Sequence, residues 1–459
     1  MKRIYFSAVE GKEAYYFRRA DRLFPGSLAP AQDKELICRS KYEYLTRLSS
    51  GLPDETGLPD GMTEQELHGL RKALSYAPGN LRPETVRALY GRTLRLSSTK
   101  IDVLAGCRFA YFLQYGLKAK ERKPAQLDAP LYGTFVHYVL EHTVRQVQAE
   151  GGFSAVAPER VLSLAERFME EYAKTQLASL WDSDREGYLL RRTFAEVRQV
   201  VRELYDELSQ SEFVPQWFEL EFSSRGPLPA VRIAGQHMTA ELEGYVDRAD
   251  IWRDGEKLYV RIVDYKTGKK DFDYTNVLNG IGLQMLLYLF ALEKHGSRLS
   301  GEPLLPAGVL YFPARMAQVT VKDKFSDADA NAAHRKLLRR QGLLLNDYRV
   351  LQAMEPSGSD PVYLPYSHGK DGSRTGDLAD PGQLRLLERH VFHTVAALAD
   401  EVARGKVTPN PYFRDEQHNA CRWCPYQTLC ADTAEKRWLD KLGGPEEFWK
   451  LIGEEDVHE

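Results

Sequence analysis

The chain has 459 residues, enough for two or three domains with sizeable cores. At 43% hydrophobic and 28% charged residues it has the composition of a water-soluble globular protein, and no apolar run approaches the roughly 18 residues of a membrane span. A formal charge of −3 excludes a globally basic surface, so any polyanion must be held by a local groove. The start, Met1-Lys2-Arg3-Ile4-Tyr5-Phe6-Ser7, lacks the long apolar stretch of a signal peptide. The expected compartment is therefore a reducing cytoplasm, where the five cysteines are better read as ligands or buried thiols than as disulfides.

Residues 1–95 form a mixed segment, Pro/Gly-rich around Gly51 to Gly61, ending in Leu94-Arg95-Leu96-Ser97-Ser98-Thr99, whose hydroxyls can cap a following helix. Apolar residues at three and four, as in Val139-Leu140-Thr143-Val144 and from Val197 to Leu208, predict helices across 100–210. Strand patterns follow. Phe218-Glu219-Leu220-Glu221-Phe222 alternates, and Leu242 to Trp252 and Leu258 to Lys266 flank the hairpin signal Asp254-Gly255. One long helix is expected from about Asn276 to Lys294, then a short strand, Val309-Leu310-Tyr311-Phe312. Residues 316–385 read as loop-rich, with Ser367 to Gly376 exposed, and a helix from about Pro381 to Arg404 leads to a cysteine segment and an acidic tail. This order predicts an α/β core with helical additions.

Within the hairpin, Gly244-Tyr245-Val246-Asp247 faces Val263-Asp264-Tyr265-Lys266. Side chains two apart on a strand share a face, so Asp264 and Lys266 point together and Tyr265 points away. A carboxylate beside an ammonium can hold a divalent cation and orient an attacking water, and Asp247 adds a second hard oxygen donor. D-x-K alone is most often a solvated strand end; the second acidic motif one hairpin earlier favours function. His137 lies on a predicted helix, Gly133-Thr134-Phe135-Val136-His137, where it is either a filler or a further ligand. Gln284 and Tyr288, four apart, share a helix face, with Gln284 placed to bond the lysine or a nucleotide and Tyr288 a phosphate. Glu219 and Glu221 can each supply an outer carboxylate, and alternation does not choose between them.

Cys421, Cys424 and Cys430 follow the pattern C-x2-C-x5-C, and Cys107 stands far upstream; Cys38 reads as incidental. Three close thiolates want a soft metal. Four thiolates suit zinc or a 4Fe–4S cluster, and the absence of paired C-x-x-C knuckles leans toward the cluster. The basic stretches Lys118 to Lys123, His334 to Arg340 and Lys266-Lys269-Lys270 are either solvated faces or parts of a groove. No G-x-x-x-x-G-K-[ST] occurs, so this chain has no P-loop for ATP phosphates.

Gly-Tyr-Val-Asp, Asp-Tyr-Lys-Thr-Gly and Gln284-Met-Leu-Leu-Tyr288, with His137 upstream, resemble the RecB-type branch of the PD-(D/E)XK nucleases. One cysteine before this core and three after it resemble that branch's iron–sulfur members, most of all the AddB components of bacterial AddAB helicase–nucleases. Leu89-Tyr90-Gly91, Leu96 to Thr99 and the run Cys107 to Leu117 carry the likeness, as do Gly308 to Arg315, Gly342-Leu343-Leu344 and Gly405 to Tyr412. It covers roughly residues 85 to 435, with one departure at Arg108, where the family commonly has proline.

The resemblance implies a restriction-endonuclease-like mixed-sheet core with large helical additions, closed by a 4Fe–4S cluster on Cys107, Cys421, Cys424 and Cys430. It implies Mg²⁺, with Mn²⁺ as a substitute, on His137, Asp247, Asp264 and the backbone oxygen of Tyr265. Lys266 is then catalytic, and Gln284 and Tyr288 form the accompanying Q-x-x-x-Y motif. Residues 1–95 are expected to be a remnant of a helicase-like region, 96–435 the nuclease and 436–459 a tail. The implied activity is exonucleolytic digestion of single-stranded DNA, the 5′-ended strand by likeness, unwound by an AddA-like helicase partner in break repair. Rival readings are a stand-alone iron–sulfur nuclease, CRISPR-associated or replication-linked, and a non-catalytic DNA-end scaffold.

Overall fold

The computed structural model describes Gln65, His68 and residues 79–119, 129–176, 184–268, 270–315, 337–356, 360–430 and 435–457. Cys38, Lys269 and residues 120–123 and 334–336 of the basic stretches lie outside them. By its contacts the chain divides into Met1–Pro78 and Gly79–Glu459, and nearly all described residues belong to the second unit.

Helix α1 (Pro83–Tyr90) leads into β1 (Thr93–Leu96) and then α2 (Ser98–Gly106). The Ser97 hydroxyl accepts from the Lys100 amide at 3.4 Å, the capping expected of that hydroxyl run. A short helix α3 (Arg108–Tyr111) continues as a π-helical turn, Phe112–Gly116. Three amphipathic helices follow: α4 (Ala129–Ala149), α5 (Pro158–Gln176) and α6 (Asp184–Gln210). Val136, Val139, Leu140, Val144 and Val147 of α4 are all buried, which is the three-and-four stripe of the sequence turned inward.

The core sheet is built from β2 (Val214–Phe222), β5 (Gly244–Asp254), β6 (Lys257–Lys266), β7 (Leu304–Pro313), β8 (Gln341–Leu345) and β11 (Leu378–Ala379). Their order is β11-β8-β7-β6-β5-β2, parallel at β6–β7 and β8–β11 and antiparallel elsewhere, so the sheet is mixed. A smaller sheet joins β1 in parallel to β4 (Thr239–Leu242), which pairs antiparallel with β3 (Val231–Ala234). Gly255, at φ 59°, makes the β5–β6 turn, as the Asp-Gly signal predicts. β6 is central and buried along nearly its whole length, with helix α8 (Gln284–His295) packed on β6 and β7.

The long helix expected over 276–294 is two helices, α7 (Tyr274–Leu278) and α8. Gly280 (φ 79°) and Gly282 (φ 72°) take left-handed backbone between them, which ends one helix and lets Gln284 begin the next. The stretch read as loops contains β8, α9 (Tyr348–Met354) and a hairpin of β9 (Tyr366–His368) with β10 (Arg374–Gly376); residues 316–336 lie outside the described set. The predicted helix near 381–404 is α10 (Pro381–Ala403), opened by an Asp380–Gln383 capping box. The chain then forms β12 (Tyr412–Phe413), α11 (Gln427–Cys430), β13 (Arg437–Trp438) and α12 (Pro445–Val457). Among the described residues no helix is long and apolar enough to cross a membrane.

Candidate active site and thiol cleft

The last β5–β6 rung is Arg248–Val263, and the strands part just beyond it, at Asp247 and Asp264. Asp247 Oδ2 accepts from the Tyr265 amide at 2.9 Å, which bridges the widening hairpin. From α4, His137 Nε2 lies 2.8 Å from the Tyr265 carbonyl oxygen and Nδ1 lies 3.4 Å from Asp247 Oδ2. One helix and two strands therefore converge on a single spot. Sequence spacing places His137 only by resemblance; the fold brings it into contact with the hairpin.

Glu219 on β2 completes the spot. Ligand atoms of His137, Glu219 and Asp247 lie within 4.8 Å of one another, the one such convergence of three His, Cys, Asp or Glu groups among the described residues. Glu219 has φ 44°, a left-handed backbone that a non-glycine residue adopts at a cost of about 1–2 kcal/mol. Burial pushes its carboxyl up to about 7, and repulsion from Asp247 and Glu141 adds to this. Alternation along β2 could not separate Glu219 from Glu221. Glu221 instead accepts a hydrogen bond from the Ser223 hydroxyl at 2.7 Å.

Asp264 lies beside this trio and is 3% exposed. Burial first, then the neighbouring Asp247 charge, raises its carboxyl to about 6, against the pull of Lys266 and His137. Lys266 Nζ is 2.5 Å from Asp264 Oδ2, a close ion pair at the mouth of the site. Three carboxylates crowded in this way, together with one imidazole and one carbonyl, form a donor set that suits a hard divalent cation.

The opposite sheet face carries a buried ion network. Arg248 donates to both oxygens of Asp250 at 2.8 and 3.0 Å and to the Tyr265 hydroxyl at 2.9 Å, and Arg261 donates to Asp250 at 2.9 Å. Tyr265 is thus gripped by its ring below the sheet while its backbone faces the site above.

Gln284 opens α8, and Tyr288 hydrogen-bonds to it and to Ser98. Tyr288 is 3% exposed and stacks on Phe222 at 6.0 Å. A Cβ on Gly244 would fall 2.0 Å from the Tyr288 hydroxyl. Enclosed in this way, Tyr288 supports the floor under Gly-Tyr-Val-Asp, and the expected phosphate contact is not open to it.

Cys107, Cys421, Cys424 and Cys430 line one cleft of about 350 Å³. Cys107 is buried at the α2–α3 junction. Burial raises the Cys430 thiol to about 11, with Cys107, Cys424 and Cys421 adding repulsion, so the four sulfurs are electrostatic neighbours. The chain end is pinned here: Tyr426 donates to the Ala119 carbonyl at 2.7 Å, and Arg437 donates to the Ala105 carbonyl. Arg108, the departure from proline, uses the amide that proline lacks. It donates to Asn410 at 2.9 Å, and the guanidinium meets Glu401 of α10.

A family model described as the PD-(D/E)XK nuclease superfamily matches residues 95–431. Curated relatives named as the B-type subunits of ATP-dependent helicase/deoxyribonucleases are similar. That of Moorella thermoacetica is 33% identical over 380 residues, 81% of this chain and 33% of its own length. Those of Acetivibrio thermocellus and Oceanobacillus iheyensis are 31% and 29% identical over 390 and 379 residues, each covering 81% of this chain. The chain spans about a third of the length of these relatives. With both acidic motifs, the lysine and the mixed sheet inside the matched span, this chain belongs to the PD-(D/E)XK nuclease superfamily.

Proposed function

We propose that this chain is the nuclease portion of an AddB-like helicase–nuclease component, hydrolysing single-stranded DNA supplied by an AddA-like partner during break repair. The observation that carries the reading is the convergence of His137, Glu219 and Asp247 beside the Asp264–Lys266 pair. His137, Glu219, Asp247, Asp264 and the Tyr265 carbonyl would hold Mg²⁺ or Mn²⁺. Such an ion, when bound, neutralises phosphate oxygens and makes a water acidic enough to attack. Lys266, held by Asp264, orients that water and offsets charge growing on the phosphate. Gln284 and Tyr288 fix the strand ends from beneath. Preference for the 5′-ended strand follows from family likeness.

The same proposal assigns a 4Fe–4S cluster to the four cysteines, with a structural role. A tetrahedral zinc site needs sulfurs about 3.8 Å apart, given its roughly 2.3 Å bonds. No three of these thiols meet within 4.8 Å among the described residues, a spread that favours a larger cluster. The test is an anaerobic preparation assayed for visible absorbance and for Mg²⁺-driven digestion of end-labelled single-stranded DNA. The reading expects brown protein and digestion from the 5′ end. Colourless, zinc-loaded protein would remove the cluster assignment, and inert protein with an intact cluster would remove the nuclease assignment.

A further inference from the structure

Beside the thiol cleft lies a larger one, about 1430 Å³, bounded by the stretch Leu89 to Arg95, helix α2, the π-helical turn and the cysteine loop. Its volume exceeds the about 300–1,000 Å³ of a small-molecule site, which leaves room for several residues or nucleotides of an extended chain. Aromatic faces line it. Tyr90 stacks on buried Tyr111 at 5.9 Å, and Tyr111 meets Tyr115 at 5.2 Å, making one wall of rings. Trp423, which is 85% exposed, also lines the cleft, with its ring open to solvent. Trp423 is held there by the cysteine turn, in which the Cys424 amide donates to the Cys421 carbonyl at 3.1 Å.

Charge is concentrated in the same cleft. Arg92, Arg95, Lys100 and Lys118 line it against one carboxylate, Glu241, which lies 3.9 Å from Arg95 and 3.2 Å from Arg232. A chain of net charge −3 thus places a local excess of cations in a cleft that aromatic rings also line. Phosphates satisfy the cations, but only unpaired bases present flat faces to stacking rings. α2 forms the partition with the candidate active site. Lys100 lines the cleft, whereas Asp102 accepts from the Gly282 amide at 2.8 Å and Ser98 bonds Tyr288.

We propose that this cleft is a single-stranded DNA groove in which a base stacks on Trp423 and the backbone runs along Arg92, Lys100 and Lys118. The proposal rests on DNA being the substrate and adds a holding site separate from the cation site. It gives the cysteine loop a second task, which is to present Trp423.

The experiment measures binding of fluorescent oligo-dT and of a blunt duplex by the full, cluster-loaded chain in EDTA. Trp423→Ala should weaken oligo-dT binding about tenfold, the loss of one stacked base, and Trp423→Phe should retain most of it. Arg92→Ala with Lys118→Ala, neither of them in the cysteine loop 421–430, should reduce the salt slope by roughly one to two. Duplex affinity should change less than oligo-dT affinity in Trp423→Ala, and cleavage of a small chromogenic phosphodiester should not change. Unaltered oligo-dT binding in both variants, or an equal loss for duplex, would overturn the groove. Absence of phosphodiester cleavage in the parent would instead overturn the nuclease reading and leave the binding result to be judged on its own.

Discussion

The Asp247 carboxylate accepts the Tyr265 amide proton at 2.9 Å, just past the last paired rung of the hairpin. This bond holds open a gap that a regular ladder would close, and into that gap His137 reaches with both ring nitrogens. The Tyr265 ring is fixed from the opposite face by Arg248, so the backbone atoms that meet His137 and Asp247 have little freedom to move. Site geometry therefore depends on side chains above the sheet and on a buried ion network below it.

Lys266→Ala and Asp247→Ala should each lower Mg²⁺-dependent digestion by at least about 100-fold, the usual loss for a group acting on transition-state charge. Both side chains are partly exposed at the sheet end, so folding should survive. Initial rates on single-stranded DNA, with iron content and circular dichroism as controls, check this. Retention of a tenth or more of the activity in Lys266→Ala would displace it from the chemistry.

Glu219 allows its carboxylate and its backbone to be tested separately. Glu219→Gln lowers apparent Mg²⁺ affinity and rate, because a charged donor is lost. Glu219→Gly should be more stable than Glu219→Ala by about 1 kcal/mol, since glycine accepts φ 44° without penalty. Urea denaturation of the two variants decides it; equal midpoints would mean that the backbone at 219 is relaxed.

At Gly244 a methyl group has no room. Gly244→Ala should destabilise the protein by about 2 kcal/mol, the range for overpacking, because its Cβ meets the Tyr288 hydroxyl. Adding Tyr288→Phe should recover part of the loss, a coupling that a double-mutant cycle measures. A strictly additive pair would contradict the close approach.

Asp400 gives a pH-dependent test of stability away from the cation site. It is buried on α10 and accepts the amides of Gln236, His237 and Met238 at 2.8, 2.7 and 3.1 Å, which pins the β3–β4 turn. Burial works against its charge, but those amides and the nearby His237 outweigh burial and hold its carboxyl below the usual 3.8. A depressed folded pKa contributes stability above the unfolded value and loses it as pH falls through the folded one. Asp400→Ala should therefore cost roughly 3 kcal/mol at pH 7 and progressively less below about pH 4. Denaturant melts of both proteins across that range provide the check; a pH-independent difference would rule out the linkage.

Much of this is legible in the residues themselves. The two-residue spacing puts Asp264 and Lys266 on one face, Asp-Gly places the hairpin turn, and hydroxyls mark the start of α2. What stays hidden depends on tertiary geometry. The choice of Glu219 over Glu221 rests on a local left-handed backbone, and nothing in an alternating F-E-L-E-F run encodes it. The break between α7 and α8 is signalled by Gly280 and Gly282, but the apolar periodicity on both sides masks it. Arg248, Asp250 and Arg261 look like solvent-facing strand residues until Glu207 of α6 and Arg340 join them across the sheet. A polar strand face with distant partners has no local signature.

The most direct measurement is anomalous scattering from crystals soaked in Mn²⁺. The account predicts one strong peak enclosed by His137, Glu219, Asp247, Asp264 and the Tyr265 carbonyl, at roughly the 2.0–2.6 Å spacing of hard-cation sites, and its loss in Asp247→Ala. Active crystals with no peak between those side chains, or with Mn²⁺ held only elsewhere, would contradict it.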